Sequence, residues 1–237
     1  MKLVVLRAGD AAPPVAARRG QFYSWIQREV GDTWKGEWAE HDVRTDAPLP
    51  GVRDASAFII TGSSSSVTER APWMLRIEQF IRDLADAGTP LFGICFGHQL
   101  VGQALGGLVA KNPNGREIGT VDVRVVAHEP LDPILSGLGE RFTANHTHVD
   151  SVVELPKGAR VIAATDLEPN AAFSIGDKIK CVQFHPEFDG DVMRGYVEAR
   201  AHLIEAEGID PKPILARAAD APGGAETLRN FVRHVAK

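Results

Sequence analysis

The first half of the chain alternates short runs of consecutive apolar residues with segments in which apolar residues recur at helical spacing. The runs predict buried strands, and the helical spacing predicts amphipathic helices. This order of elements is typical of an α/β protein with a parallel, doubly wound sheet and helices on both faces. The predicted strands are residues 2–7, 41–44, 57–61 and 90–94, and the predicted helices are residues 15–30, 72–88 and 99–105.

The second half changes character, because short strand-like runs follow one another with Gly, Pro, Asn and Asp turns between them. This pattern predicts an antiparallel section that closes back onto the sheet. From residue 188 the pattern is helical again, so we interpret residues 1–237 as one domain with a helical C-terminal extension over 188–237. The predicted strands are 107–110, 118–127, 141–145, 151–155, 160–164, 171–175 and 179–184, and the predicted helices are 192–207, 213–219 and 225–235.

The strand predicted at residues 90–94 ends in Gly93-Ile94-Cys95-Phe96-Gly97, and a helix is predicted directly after it. A Gly-x-Cys-x-Gly sequence in this context is the cysteine form of the nucleophile elbow, a turn that larger residues would crowd. Such a turn places the Cys95 sulfur above a helix N-terminus. The helix dipole and the unpaired N–H groups there favour a thiolate and can bind a negatively charged substrate oxygen. The motif is weak by itself, because most cysteines are small buried hydrophobic residues.

A second motif, His185-Pro186-Glu187, follows the strand predicted at residues 179–184. An activated thiolate needs a base, and the base needs an orienting partner. Because Pro186 stiffens the backbone, the Glu187 carboxylate can bond one imidazole nitrogen of His185 while the other nitrogen faces the thiol. A histidine beside a strand is more often structural, so the prediction depends on both motifs together. Catalytic groups of open α/β sheets gather at the carboxyl edge, where both motifs are expected.

Composition and charge remove several classes of function. The 237 residues carry a formal charge of −5, which gives no reason to expect nucleic acid or an anionic membrane as a partner. No apolar run approaches the roughly 20 residues that a membrane span needs. The N-terminal segment runs into a strand pattern without a signal-peptide pattern. The two cysteines, Cys95 and Cys181, lie in apolar segments, so no disulfide framework is indicated and a cytoplasmic location is expected.

With His185-Pro186-Glu187 downstream, the sequence Gly93-Ile94-Cys95-Phe96-Gly97-His98-Gln99 resembles the class I, or triad, glutamine amidotransferases. More narrowly, it is similar to the free-standing GMP synthase-like members and to the plant γ-glutamyl peptidases, which share the Cys-Phe-Gly-His-Gln form. The resemblance implies a flavodoxin-like, mostly parallel sheet. It also implies that Cys95 forms a γ-glutamyl thioester, that His185 acts as base and acid, and that Glu187 orients His185.

The resemblance further implies an oxyanion hole made of backbone N–H groups. In the family, a Gly-Gly-Pro loop after the strand that precedes the elbow contributes one of these donors. The corresponding loop here reads Thr-Gly-Ser-Ser from residue 61. A backbone donor does not require glycine, so Gly62 or Ser63 is the implied donor beside the N–H of Phe96.

Residues that bind the substrate are implied in the same way. Gln99 matches a family position that helps to hold glutamine, and Thr147-His148-Val149-Asp150 resembles a Ser-His-x-Asp segment whose backbone binds the α-amino and α-carboxylate groups. His146, His148 and Asp150 are residue types found in metal sites. Because the family has no metal in this place and no further ligand is expected nearby, we expect neither a metal nor a cofactor.

Three functions stay open at this point. The first is hydrolysis of the γ-amide of glutamine, with the ammonia transferred to an acceptor on a separate synthetase chain, because no synthetase segment is expected after Glu187. The second is a self-sufficient γ-glutamyl hydrolase or peptidase that acts on small γ-glutamyl compounds. The third is a non-catalytic regulatory or binding subunit of the same fold, against which the presence of Cys95, His185 and Glu187 argues.

Overall fold

A mixed sheet runs through the centre of the computed structural model, which describes residues 1–126 and 130–236. The strands are β1 (Lys2–Arg7), β2 (Glu37–Asp42), β3 (Ala57–Ile60), β4 (Leu91–Ile94), β5 (Leu108–Lys111), β6 (Glu117–Val125), β7 (Arg141–His148), β8 (Asp150–Glu154), β9 (Ala159–Ala164), β10 (Ala172–Ile175) and β11 (Ile179–Val182). The helices are α1 (Pro13–Arg19), α2 (Phe22–Val30), α3 (Pro72–Ala87), α4 (Phe96–Ala104), α5 (Gly190–Ala199), α6 (Ala201–Ala206), α7 (Pro211–Arg217) and α8 (Pro222–Val235).

The strand order places a parallel part of the sheet beside an antiparallel part. The order is β2-β1-β3-β4-β11-β10-β9-β6-β7, and β5 pairs with β8 in a separate two-stranded ribbon. The strands β2, β1, β3, β4 and β11 run parallel to one another. By contrast, β10, β9, β6 and β7 are antiparallel to their neighbours. The predicted α/β fold, with a mostly parallel sheet and an antiparallel section, is therefore confirmed.

Helices cover both faces of the parallel part, as the consecutive apolar residues of its strands require. Successive side chains of a strand point to opposite faces. In β1, Leu3 and Val5 therefore join one core cluster, to which α2 and α8 contribute. Val4 and Leu6 join the other cluster, to which α3 and α4 contribute. The sheet is thus buried between two apolar layers, and its carboxyl edge carries the loops that follow the strands.

Two predicted helices are each divided in the structure. The helix predicted at residues 15–30 is α1 and α2, because Gly20 takes a φ of 84° that ends α1. Across this break, the Trp25 indole donates a hydrogen bond to the Arg19 carbonyl at 2.7 Å. The helix predicted at residues 192–207 is α5 and α6, divided at Arg200, whose φ and ψ are −107° and 5°. Apolar spacing continues across both breaks, so periodicity does not reveal them.

The strand predicted at residues 41–44 is also misplaced, because β2 begins and ends earlier in the chain. It lies at the edge of the sheet, and its half-buried or exposed charged residues hide the strand pattern. The strand predicted at residues 118–127 corresponds to β6, and its last predicted residue, Ala127, lies outside the described residues. In the part of the chain that the structure describes, no helix combines the length and apolarity needed to cross a membrane.

Candidate active site

Cys95 occupies the sharp turn between β4 and α4. It is the N-cap residue of α4, with a φ of 50° and a ψ of −102°, a backbone conformation that is unusual for a residue with a side chain. The helix packs so closely on β3 that a Cβ at Gly97 would lie 2.5 Å from the Ile60 carbonyl oxygen. Glycine at position 97 is therefore a packing requirement. The turn holds the Cys95 side chain next to the unpaired N–H groups of the first helical turn.

His185 and Glu187 form a buried hydrogen-bonded pair after β11. His185 Nδ1 lies 2.8 Å from Glu187 Oε1, and the Glu187 side chain is fully buried. The His185 backbone N–H donates to the Asn145 carbonyl at 2.8 Å. The imidazole stacks on the Phe188 ring with 4.0 Å between centroids. Backbone and ring contacts together fix the imidazole, so that its Nε2 is directed away from Glu187.

The sheet brings the two motifs together because β4 and β11 are neighbours. They run parallel with Ile94 opposite Val182, so both chains leave the sheet at the same edge. The Cys95 N–H donates to the Val182 carbonyl at 2.9 Å. The α-carbon of Gly62 lies so close to the imidazole that a Cβ there would be 2.8 Å from His185 Cε1. Position 62 thus needs glycine for the imidazole to sit where it does.

The charges of Cys95 and His185 stabilise each other. Burial would raise the pKa of Cys95, but the positive charge of His185 and a hydrogen bond to it outweigh that effect, with smaller contributions from His148 and Arg200. The pKa of Cys95 is therefore below its usual range. Burial opposes the charge on His185 as well, yet the negative charges of Glu187 and Cys95 raise its pKa to about 10. These mutual shifts favour a thiolate–imidazolium pair over a neutral thiol and a neutral imidazole.

A cavity of about 370 Å³ opens beside the Cys95 sulfur. It brings together the residues that the sequence singles out for substrate binding and two of the three oxyanion candidates, whereas Gly62 is not among the residues that line it. The predicted residues that line it are Ser63, Phe96, Gln99, Thr147, His148 and Val149. The Gln99 amide nitrogen donates to the Asp150 carbonyl at 2.8 Å and to Gln183 Oε1 at 3.1 Å, so this side chain also holds the wall of the cavity.

A second histidine–carboxylate pair lies on the other side of the cavity. Glu117 and His148 are opposite each other on β6 and β7, with Glu117 Oε2 3.2 Å from His148 Nε2. His148 Nδ1 lies 3.0 Å from the Asp150 carbonyl oxygen. Since both neighbours are acceptors, both ring nitrogens act as donors. Burial alone would lower the pKa of His148. The hydrogen bond to Glu117 outweighs it, together with the negative charges of Cys95 and Glu168, so the pKa lies above its usual value.

The same cluster contains the only three-residue set in the described chain whose geometry suits a metal ion. Ligand atoms of Glu117, His146 and His148 lie within 4.8 Å of one another. The expectation that no further ligand lies near the two histidines is therefore wrong, since β6 supplies Glu117. The carboxylate already accepts from the Thr165 hydroxyl at 2.6 Å and lies 2.8 Å from His146 Nδ1. These contacts make the cluster a buried hydrogen-bonded network around the Glu117 carboxylate.

Sequence reasoning missed two charged groups near the sulfur, Glu117 as the partner of His148 and Arg200. The antiparallel register of β6 and β7 places Glu117 opposite His148. Arg200 comes from the junction of α5 and α6 and lines the cavity. The helix break that places Arg200 there has no signal in the apolar spacing of the sequence. A larger cavity, about 400 Å³, lies between β6 and α7 and is lined by other residues than Cys95 and His185.

Comparison with known proteins identifies the family. A sequence profile of the class-I glutamine amidotransferases matches residues 38–201, which include Cys95, His185 and Glu187. The chain belongs to the class I glutamine amidotransferase family. The resemblance drawn from the two motifs is thus confirmed for the family as a whole.

The relatives of this class I amidotransferase chain include a gamma-glutamyl peptidase and GMP synthases. Gamma-glutamyl peptidase 4 of Arabidopsis thaliana is 32% identical over 181 residues, which cover 73% of this chain and 70% of that protein. A glutamine-hydrolyzing GMP synthase of Clostridium novyi (strain NT) is 39% identical over 139 residues, which cover 58% of this chain but 25% of the synthase. The chain therefore spans about a quarter of that relative's length. A solved glutamine amidotransferase from Thermotoga maritima shares the fold, with a TM-score of 0.79 at 22% identity over 100% of this chain and 99% of that one.

Proposed function

We propose that this chain hydrolyses the amide bond of a γ-glutamyl compound, with Cys95 as nucleophile, His185 as acid and base, and Glu187 as the orienting carboxylate. The observation that carries the proposal is the placement of Cys95 and of the buried His185–Glu187 pair at the ends of two adjacent parallel strands. An imidazole with one nitrogen held by a buried carboxylate and the other directed to a nucleophile is the arrangement that covalent amide hydrolysis uses. We further infer that residues 1–237 act as one domain and that the chemistry needs no cofactor.

The reaction has two steps. The Cys95 sulfur attacks the γ-carbonyl carbon, and as the carbon–nitrogen bond breaks, the proton of His185 Nε2 moves to the leaving nitrogen. Water then adds to the γ-glutamyl thioester, and His185 takes one of its protons. The carbon–sulfur bond breaks, which releases glutamate and restores the thiolate–imidazolium pair.

The backbone N–H groups of Phe96 and Ser63 are our candidates for the oxyanion hole. Phe96 is the first residue of α4, so its N–H has no partner within the helix. Ser63 lines the same cavity as Cys95, whereas Gly62 contacts the imidazole, which favours Ser63 over Gly62 as the second donor. Donors of this kind lower the barrier by about 3–4 kcal/mol each in other hydrolases.

The glutamyl half of the substrate fits the cavity beside Cys95. We assign its amino and carboxylate groups to the segment Thr147-His148-Val149 and its chain to the surface near Gln99, because all four residues line that cavity. The positive charge of His148 lies on the same wall and favours an anionic substrate.

Two versions of this function differ in what receives the nitrogen. In the first, glutamine is the substrate and ammonia passes to an acceptor on a separate synthetase chain. The match to one part of a GMP synthase supports this version. In the second, the chain acts alone on small γ-glutamyl compounds. The match to a gamma-glutamyl peptidase over most of both chains supports this version. Glutamate release by the purified protein from glutamine and from γ-glutamyl dipeptides, with and without cell extract, separates them. A partner-dependent enzyme is nearly silent alone.

The role of Cys95 is tested by exchanging each cysteine in turn. Cys95→Ser removes turnover of every substrate, because the much higher pKa of a hydroxyl leaves it unactivated by His185. Cys181→Ala is the matched control, since Cys181 lies fully buried in β11, where burial raises the pKa of its thiol. The control retains the wild-type rate. Glutamate release by Cys95→Ser at the wild-type rate contradicts the role of Cys95, whereas the absence of release by wild type, with or without cell extract, favours a non-catalytic subunit.

A further inference from the structure

A second cavity, of about 270 Å³, lies on the His185 side of the site. It adjoins the first cavity, because Ser63, Ser64, Thr147 and Arg200 line both. Cys95 lines the first cavity and His185 lines the second. The γ-carbonyl carbon is bonded to Cys95 during the reaction while the leaving nitrogen takes its proton from His185, so whatever is attached to that nitrogen extends toward the second cavity.

Arg200 supplies a positive charge to this space, and the partners that the described chain gives it include no carboxylate. Its guanidinium donates to the Thr147 hydroxyl and lies 5.0 Å from the centroid of the Tyr196 ring. Burial is the largest effect on Arg200 and lowers its pKa. Arg116, which also lines the first cavity, differs in being held by Glu207 in two hydrogen bonds of 2.8 Å. Arg200 is thus the cation available to a ligand, and desolvation is compensated when an anion pairs with it.

The rest of the second cavity is mostly apolar. Its wall includes Pro13, Pro14, Phe22 and Tyr196. An acidic residue, Asp10, also borders it, but Arg7 and Arg44 each pair with the Asp10 carboxylate at 2.7 Å. The cavity therefore offers one unpaired cation beside a surface suited to an apolar side chain.

We propose that the second cavity binds the leaving half of a γ-glutamyl amino acid, with the carboxylate of the leaving amino acid paired to Arg200 and an apolar side chain against Phe22 and its neighbours. The inference rests on the proposed amide hydrolysis and specifies its substrate class. Ammonia, the leaving group of glutamine, needs neither a cavity of this size nor a cation such as Arg200 to bind it. The carbon–nitrogen bond that breaks is the γ-glutamyl peptide bond, the leaving nitrogen takes the His185 proton, and water completes the release of glutamate.

The test compares γ-glutamylphenylalanine with its C-terminal carboxamide, using the purified full chain. The two substrates share every group except the negative charge, so the ratio of their kcat/KM values reports the pairing with Arg200. We expect wild type to prefer the acid by about 10- to 100-fold, the range for a hydrogen bond to a charged group. The kcat/KM for γ-glutamylphenylalanine also exceeds that for γ-glutamylglycine, because the phenyl ring makes contacts with the apolar wall that glycine cannot make. Equal values for the acid and the carboxamide overturn the assignment without any variant.

Variants then locate the charge. In Arg200→Gln the preference for the acid falls to near 1, and Arg200→Lys restores part of it. Arg194→Gln is the matched control, because Arg194 is an exposed arginine of α5, and it keeps the wild-type ratio. Arg200 also has a smaller effect on the Cys95 thiolate, which changes kcat/KM for all substrates by the same factor and therefore cancels in the ratio.

The failures of the two proposals are distinguishable. If Arg200→Gln lowers kcat/KM for the acid, the carboxamide and glutamine by the same factor, Arg200 serves the glutamyl half and this inference is overturned, while amide hydrolysis stands. If wild type releases glutamate from none of the γ-glutamyl substrates, with or without extract, the proposed function itself fails.

Discussion

Two buried histidine–carboxylate pairs flank Cys95, and they are built in different ways. His185 and Glu187 are two residues apart in a loop after a parallel strand, with 2.8 Å between Nδ1 and Oε1. His148 and Glu117 lie opposite each other on antiparallel strands, with 3.2 Å between Nε2 and Oε2. The chemistry of the groups is the same, so the difference in their roles comes from what the second ring nitrogen contacts.

In His148 the second nitrogen is already used, because the Asp150 carbonyl accepts from Nδ1 at 3.0 Å. In His185 the second nitrogen is the one that Glu187 leaves free, and the neighbouring Cys95 raises the pKa of His185. Both ring protons of His148 are bonded to fixed protein acceptors, so neither is available to a substrate. The proton on the second nitrogen of His185 faces the reacting groups and can be transferred. We therefore expect proton transfer from His185 and only a fixed positive charge from His148.

Among changes to the two histidine–carboxylate pairs, Glu187→Gln has the largest expected effect on rate. An amide in place of the carboxylate no longer stabilises the imidazolium and favours the wrong ring tautomer, and in serine hydrolases the equivalent change lowers kcat by about 10⁴-fold. We expect a loss of that order in kcat for γ-glutamyl hydrolysis with the fold intact. Steady-state kinetics measure the loss, and circular dichroism with thermal unfolding controls for the fold. A kcat within tenfold of wild type would remove Glu187 from the mechanism.

The matching change in the other pair, Glu117→Gln, mainly lowers the free energy of unfolding and has a small effect on kcat. It weakens the bonds that Glu117 forms with His148, His146 and Thr165, at a cost of about 1–3 kcal/mol in the free energy of unfolding. We expect kcat to fall no more than about tenfold, since His148 takes no part in proton transfer. Urea unfolding and kinetics on the same preparation check both values. If the rate falls as far as in Glu187→Gln, the two pairs are not distinct in role.

The smallest expected effect is on the pH profile. As pH falls through the lowered pKa of Cys95, the thiolate is protonated and kcat/KM decreases. As pH rises through the pKa of His185, about 10, the imidazolium loses the proton needed by the leaving nitrogen and kcat/KM decreases again. Glu117→Gln moves only the acid limb, to higher pH, because His148 then stabilises the thiolate less. The experiment is a profile of kcat/KM from pH 4 to pH 11, and movement of the alkaline limb alone contradicts this reasoning.

Much of the fold was predictable because its signals are local. The buried strands β1, β3 and β4 are unbroken apolar runs, and the long helix α3 starts at a proline and is followed by Gly88. The edge strand β2 was misplaced because an edge strand has little apolar sequence to reveal it. The breaks at Gly20 and Arg200 were missed because apolar spacing continues through them.

The candidate site divides in the same way. Cys95 and His185 each stand in a motif that can be read from neighbouring residues, and the structure brings both to one edge of the sheet. Their catalytic roles stay predictions. Glu117 and Arg200 belong to no local motif, since one depends on the register of two antiparallel strands and the other on where a helix breaks. Pairings of this kind are properties of the tertiary structure and have no signature in a single sequence.

The backbone of Cys95, with its φ of 50°, suits glycine better than any residue with a side chain. Holding another residue in such a conformation costs about 1–3 kcal/mol, so the nucleophile lowers the stability of the fold that carries it. In a lineage that no longer needs the reaction, selection for stability alone would therefore favour glycine at this position. A descendant with glycine at position 95 would mark abandoned chemistry, and its greater stability would measure what the working thiol had cost.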